Sequence, residues 1–207
     1  MPNNLTDAVS IAYYEAHAQA FFDDTVALDV SPLYEPFLAR IPAGGAILDA
    51  GCGSGRDTRA FLERGYVVTA FDAAPTLAKR ASKHCGIPVP VLRVQDLDGP
   101  TSFDGVWACA SLLHVPWPEL PEVLQRLAVA LKPGGILYAS FKYGSGEREQ
   151  EGRRFTDLDE AGLAALLHAA PYFTVLETWI TADQRPERAV ERWFNLLLKA
   201  QTPVSGD

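Results

Sequence analysis

The chain is short of the residues that mark several functional classes. Its three cysteines, Cys52, Cys85 and Cys109, are odd in number and include no CxxC pair. Neither a disulfide framework nor a zinc cluster is therefore indicated, and no metal is expected. No apolar run approaches the ~18 residues of a spanning helix, and the start MPNNLTDAVS has neither the basic nor the apolar part of a leader. No membrane and a reduced, cytoplasmic setting are the expectation. Positive charge is scarce as well: 18 Lys and Arg face 26 Asp and Glu, a net charge of −8. Binding phosphates relies on basic surface, so nucleic acid is not an expected partner. The arginines that do cluster, Arg148, Arg153 and Arg154, alternate with Glu147, Glu149 and Glu151 and read as mixed solvated surface. Internal repeats and low-complexity linkers are missing too, and 207 residues suit one domain with a full-sized core.

What is present is an alternation of two periods. Residues 5–40 read as helix in two pieces, the second opened by Ser31-Pro32. Residues 46–50 form a short apolar strand, Arg56 to Arg64 a helix stopped by Gly65, and 66–71 a β-branched and aromatic strand. A helix over 75–85 and a third strand at 89–94, VPVLRV, follow. Residues 103–110 are apolar enough for a strand covered on both faces. Leu120, Leu124, Leu127 and Leu131 then mark a helix, and 136–141 the fifth strand. Thr156 and Asp159 resemble a capping box that opens a helix to about His168. Phe173–Thr181 and Arg192–Lys199 close the chain as strands, the last of them readable as a helix instead. The expected fold is α/β: a doubly wound, seven-stranded, mostly parallel sheet with helices on both faces and an antiparallel final strand at or near an edge.

Between the first strand and its helix lies Gly51-Cys52-Gly53-Ser54-Gly55. Glycine there costs conformational entropy and adds no packing, so something must need to pass close to that backbone. A dinucleotide loop wants G-x-G-x-x-G, but here the third glycine comes one residue early and Arg56 holds the sixth position. Asp72 ends the second strand, 21 residues after Gly51, where a carboxylate can accept from two ribose hydroxyls. That placement points to adenosine without choosing between a nicotinamide dinucleotide and S-adenosyl-L-methionine. Asp96, after the third strand, is set to take an adenine amino group.

These residues resemble the class I S-adenosylmethionine-dependent methyltransferases. The matching blocks are ILDAGCGSG, FDAAP, VQDLDG, FDGVWACASLLHV and LKPGGILYASF, in order across residues 46–141. The stretch GSGRD and the small size look most like tellurite-resistance-type enzymes. The resemblance implies a cofactor, S-adenosyl-L-methionine, with its methionine part against Gly51, Gly53 and Gly55 and its ammonium near Asp49 and a carbonyl at Ala108–Ala110. Asp72 would hold the ribose, Ala73 and Leu97 would flank the adenine, and Asp96 would bind its edge. Tyr13 or Tyr14, in a helix folded over the cofactor, and Arg56 are candidates for its carboxylate. It further implies a cap at 1–40, a cofactor core at 46–141 and an acceptor side at 142–207.

Methyl transfer from a sulfonium is an in-line displacement in which the protein mainly aligns the nucleophile and excludes water. His114 is the candidate general base, because its ordinary pKa of ~6.5 suits proton transfer; a histidine held by a backbone carbonyl is the alternative. The polar segment 142–155, KYGSGEREQEGRRF, is expected to cover the acceptor, with Tyr143, Arg153 or Arg154 touching it. The residues Ala110-Ser111-Leu112-Leu113 lack the Asn/Asp-Pro-Pro-aromatic element of base-modifying enzymes of this fold, which points to a small-molecule acceptor. Cys52 and Cys109 read as buried packers. Two other functions stay open: a regulatory protein that binds S-adenosylmethionine without turnover, and an NAD-dependent oxidoreductase. The oligomeric state reads as monomer or homodimer, with Trp179 and Trp193 as interface or core.

Overall fold

The computed structural model of the chain describes residues 6–99, 102–185, 188 and 190–201; the segment at residues 1–5, read for a leader in the sequence, lies outside them. Three helices come first, α1 (Thr6–Ala16), α2 (Ala18–Thr25) and α3 (Ser31–Leu38), where two were expected. The first break is at His17, whose φ of −114° and ψ of 17° leave the helical region. Next come β1 (Ala46–Ala50), α4 (Arg56–Glu63), β2 (Val67–Phe71), α5 (Pro75–Cys85), β3 (Phe103–Ala108), α6 (Leu120–Ala130) and β4 (Leu131–Lys142). A hairpin of β5 (Gly146–Gln150) and β6 (Arg153–Asp157), then α7 (Glu160–Ala169), β7 (Phe173–Ala182) and β8 (Arg192–Ala200), complete the described chain.

The main sheet has the order β2-β1-β3-β4-β8-β7. β1 pairs in parallel with β2 on one side and β3 on the other. The chain therefore reverses its direction of winding at β1, and such a switch opens a crevice at the carboxyl ends of the strands. β8 runs antiparallel between β4 and β7. As expected, the final strand is antiparallel and lies near an edge, which β7 itself forms.

The sheet has six strands, not seven. Residues 89–94 meet it only through a single parallel bridge between Asp72 and Val91. Pro88 and Pro90 explain the loss, because each removes a backbone N–H from the row that a ladder would use. Thr156 is likewise not a helix cap. It lies in β6 and donates its hydroxyl to the Val115 carbonyl, while Asp159 caps α7 by accepting from the Gly162 N–H at 2.8 Å. The segment expected as a loop over the acceptor is the β5–β6 hairpin, paired from Gly146–Asp157 to Gln150–Arg153.

Two apolar layers sandwich the sheet. Leu120, Leu124 and Leu127 of α6 are buried against one face, as their spacing implies. On the other, Trp107 of β3 stacks on Tyr138 of β4 with ring centroids 3.9 Å apart, and Tyr34, Phe37 and Phe61 from α3 and α4 pack around the pair.

Candidate functional site

The loop after β1 and the turn after β3 meet at the switch point. Gly51, Gly53 and Gly55 all have positive φ, which side chains rarely adopt. The neighbours of two of them also forbid a Cβ: one on Gly51 would sit 2.7 Å from the Ser111 Cβ, and one on Gly55 2.6 Å from the Cys85 Sγ of α5. Gly51 and Gly55 are thus required by the protein's own close packing, with Gly55 seating α4 against α5, while at Gly53 a Cβ would meet only the Phe21 ring, at 3.1 Å. The sequence argument, which assigned them to a ligand alone, overlooked this.

Asp72 orders the same loop. Its Oδ2 accepts from the Gly53 N–H at 2.8 Å and its Oδ1 from the Ala74 N–H at 2.9 Å. Burial raises its pKa, and the backbone amides offset part of that rise. A carboxylate offers about four acceptor positions, so these amides do not exhaust it. Across from it, Ala110 holds φ at 53°, a conformation that costs an alanine ~1–2 kcal/mol. Its N–H is fixed by the Ser140 Oγ at 2.8 Å. The Oγ of the next residue, Ser111, is buried with no hydrogen-bond partner.

These groups line a cavity of about 310 Å³, in the range of small-molecule sites. α1 and α2 supply Tyr14 and Phe21, and the β1 loop supplies Gly51, Gly53 and Arg56. Beyond β2 lie Asp72, Ala73 and Arg93, Val94, Gln95; beyond β3 lie Ala110 and His114. At the far end are Lys142, Arg153, Asp183 and Trp193. Of the candidates named from sequence, Tyr14, Gly51, Gly53, Arg56, Asp72, Ala73, Ala110, His114 and Arg153 therefore come together. Among the described residues, Asp49, Gly55, Asp96, Leu97, Tyr143 and Arg154 do not line the cavity. Asp49 lies beneath the loop, accepting from the Thr58 hydroxyl at 2.5 Å. Asp96 is exposed and paired with Arg93 at 2.7 Å, because without a third strand nothing aims it at the sheet edge. Leu97 packs against the core instead. Tyr143 is exposed and donates to Glu160 Oε2 at 3.1 Å. Arg154 pairs with Glu147 at 2.8 Å.

His114 is not free to act as a base. Its Nδ1 lies 2.7 Å from the Arg154 carbonyl, an acceptor, so Nδ1 carries the proton. Its Nε2, 2.9 Å from the Tyr14 hydroxyl, accepts. Burial lowers its pKa to about 4, so the ring is neutral at pH 7 and ties α1 to β6. Ser10 adds a second tie, accepting from the Arg154 N–H at 3.0 Å.

Two networks on the wall were not legible in the sequence. Asp57, one residue past Arg56, is buried and accepts from Arg56 (2.6 and 3.0 Å), the Tyr34 hydroxyl (2.6 Å) and Trp107 Nε1 (2.8 Å). Burial pushes its pKa up, but the Arg56 charge and these donors more than offset that and hold it below the usual range. At the far end Asp183 accepts from Arg185 Nη2 (2.7 Å), Trp193 Nε1 (3.0 Å) and Lys142 (3.3 Å). Lys142 also meets Glu191 and lies 3.7 Å from the Trp193 ring centroid. Together these contacts pin the connection between β7 and β8 over the end of β4.

Comparison with known proteins agrees with this geometry. Residues 47–135 match the family model described as "Methyltransferase domain", which runs from β1 into β4. The ubiquinone biosynthesis O-methyltransferase of Xanthomonas axonopodis pv. citri is 41% identical over 106 residues, 48% of this chain and 44% of that protein. The protein of the same name from Chromobacterium violaceum is 35% identical over 121 residues, 54% of this chain and 51% of its own length. The chain thus spans about half the length of these curated relatives. Among solved structures, Burkholderia thailandensis 1,6-didemethyltoxoflavin-N1-methyltransferase, with bound 1,6-didemethyltoxoflavin and S-adenosylhomocysteine, superposes at a TM-score of 0.77. The match covers 94% of this chain and 88% of that one at 26% identity. A Methanosarcina mazei methyltransferase, 18% identical over 81% of this chain and 98% of its own, shares the fold at 0.71. Sheet order, crevice and superposition show that the chain shares the fold of these methyltransferases, and residues 47–135 match the methyltransferase-domain model.

Proposed function

We propose that the protein transfers a methyl group from S-adenosyl-L-methionine to a small-molecule acceptor, in the crevice at the β1 switch point. The observation that carries this reading is the Asp72 carboxylate, which joins the glycine loop at Gly53 to the Ala74 amide after β2 and lines the cavity. The cofactor fits the residues present. The buried, unpartnered Ser111 Oγ supplies an orphan polar atom beside Gly51, and the volume suits a nucleoside and a small partner. When bound, it supplies an electrophilic methyl group whose carbon–sulfur electron pair stays with sulfur as the acceptor's lone pair forms the new bond.

The chain's own residues do the rest. Asp72 holds the ribose hydroxyls and Ala73 lies beside the adenine, while Arg93, Val94 and Gln95 replace Asp96 and Leu97 as the residues facing that end. Gly51, Gly53 and Ala110 shape the wall at the methionine part. Tyr14, oriented by His114, closes the cavity from above, which removes water and aligns the reactants; such positioning is worth up to ~7–11 kcal/mol of barrier. Residues 1–40 act as the cap, and 142–207 supply the acceptor side through Lys142, Arg153 and Trp193. The ubiquinone and toxoflavin enzymes named above point to a planar ring acceptor. A tellurite-resistance-type acceptor has in its favour only Arg56 after the glycines and the chain's size. We place the protein in the cytoplasm, as monomer or homodimer.

Calorimetry with S-adenosylmethionine, S-adenosylhomocysteine and NAD tests the reading. Micromolar binding of the first two, lost in Asp72→Ala, is expected; binding of NAD alone would overturn it. Turnover with any acceptor then separates an enzyme from a cofactor sensor.

A further inference from the structure

Arg153 is a buried cation with an unfilled donor. It is 6% exposed, and its Nε is buried without a partner. Its Nη2 meets Glu151 Oε2 at 2.5 Å, but that glutamate side chain is 57% exposed and solvent screens the pair. The guanidinium lies 4.5 Å from the Tyr13 ring centroid and 5.3 Å from that of Phe155, on the cavity wall between α1 and β6. Leaving such a donor unfilled is costly, so the site is built to receive an acceptor atom.

Cations are frequent on the wall, and Arg56, Arg93, Lys142 and Arg185 are each paired with a carboxylate. Six Arg and Lys side chains line the cavity against four Asp, although the chain carries a net charge of −8. Three of the bases on the wall are already engaged. The His114 ring has both nitrogens engaged, and the Asp57 and Asp183 carboxylates each take at least three donors.

Resting on the methyl-transfer reading, we propose that the acceptor binds as an anion, its carboxylate-like group held by the Arg153 guanidinium. Where the anionic oxygen is itself the nucleophile, its lone pair would form the bond to the methyl carbon, the carbon–sulfur pair would stay with sulfur, and the neutral methyl ester would have no proton to lose. The cofactor's own carboxylate offers the same chemistry, so the test fills the cofactor site first. The full chain is saturated with S-adenosylhomocysteine, and calorimetry then compares benzoate and 4-hydroxybenzoate with their amides. The acids are expected to bind at least tenfold more tightly. Arg153→Gln should abolish that preference and Arg153→Lys should retain part of it, with S-adenosylhomocysteine affinity unchanged within twofold. Acids and amides that bind alike, or not at all, overturn the proposal even in the unaltered chain. A tenfold loss of S-adenosylhomocysteine affinity in Arg153→Gln also overturns it, assigning the guanidinium to the cofactor. Failure of S-adenosylhomocysteine to bind the unaltered chain overturns it together with the reading it rests on.

Discussion

At the scale of single residues, Asp57 is a buried electrostatic commitment. Buried among Arg56, Tyr34 and Trp107, it leaves a charge and two donors stranded if its carboxylate is removed. Breaking a buried pair from one side typically costs ~3–5 kcal/mol, so Asp57→Ala should lower the urea-derived unfolding free energy by about that much. A loss below ~1 kcal/mol would show that the network does not support the fold. His114 makes a prediction in pH. Its folded pKa of about 4 lies below the ordinary ~6.5, so the unfolded chain binds the extra proton and stability rises with pH between the two. As pH falls through that window, at most about 3 kcal/mol is lost on this account. Other carboxylates also titrate there, so the readout is the difference between the native chain and His114→Gln, unfolded in urea at pH 4.5 and 7. Identical slopes would mean that the imidazole is not held neutral.

At the scale of elements, α1 is attached to the rest of the molecule by a few polar ties. Tyr14 donates to His114, Ser10 accepts from the Arg154 N–H, and Glu15 accepts from the Thr76 N–H at 2.9 Å. Combining Tyr14→Phe with Ser10→Ala removes two of the three at little cost in volume. Amide exchange within Thr6–Ala16 should quicken about tenfold for each ~1.4 kcal/mol of local stability lost, while β1 and β3 keep their protection. Equal loosening of both would mean that the helix is part of the global unit. What the sequence disclosed depends on the range of the interaction. The units β1–α4, β2–α5 and β3–α6 were readable because strand, turn and helix follow one another within about 30 residues. The strand at 89–94 was misjudged because β-branched residues were weighed without the missing donors of Pro88 and Pro90. The hairpin escaped because GEREQ and RRFTD carry charge rather than apolar alternation, and its pairing comes from the backbone. Likewise Asp72 was legible from spacing alone, whereas Asp57 was not: its partners Tyr34 and Trp107 lie 23 and 50 residues away.

At the scale of the whole molecule, the cavity joins parts of the chain that otherwise touch little. Its wall draws on α1, α2, the ends of β1 to β4, the hairpin and the connection between β7 and β8. A ligand that binds there and not to the unfolded chain stabilises all of them together by mass action. At a free concentration 100 times Kd the gain is about 2.7 kcal/mol. For a chain of this size each kcal/mol moves the midpoint by ~2–4 °C, so saturating S-adenosylhomocysteine should raise Tm by about 5–10 °C. Asp72→Ala should lower the starting Tm, because the Gly53 and Ala74 amides lose their acceptor. It should also abolish the shift, because the ribose loses its partner. A shift that survives in the variant would move the adenosine site away from β2 and leave Asp72 a brace for the glycine loop alone.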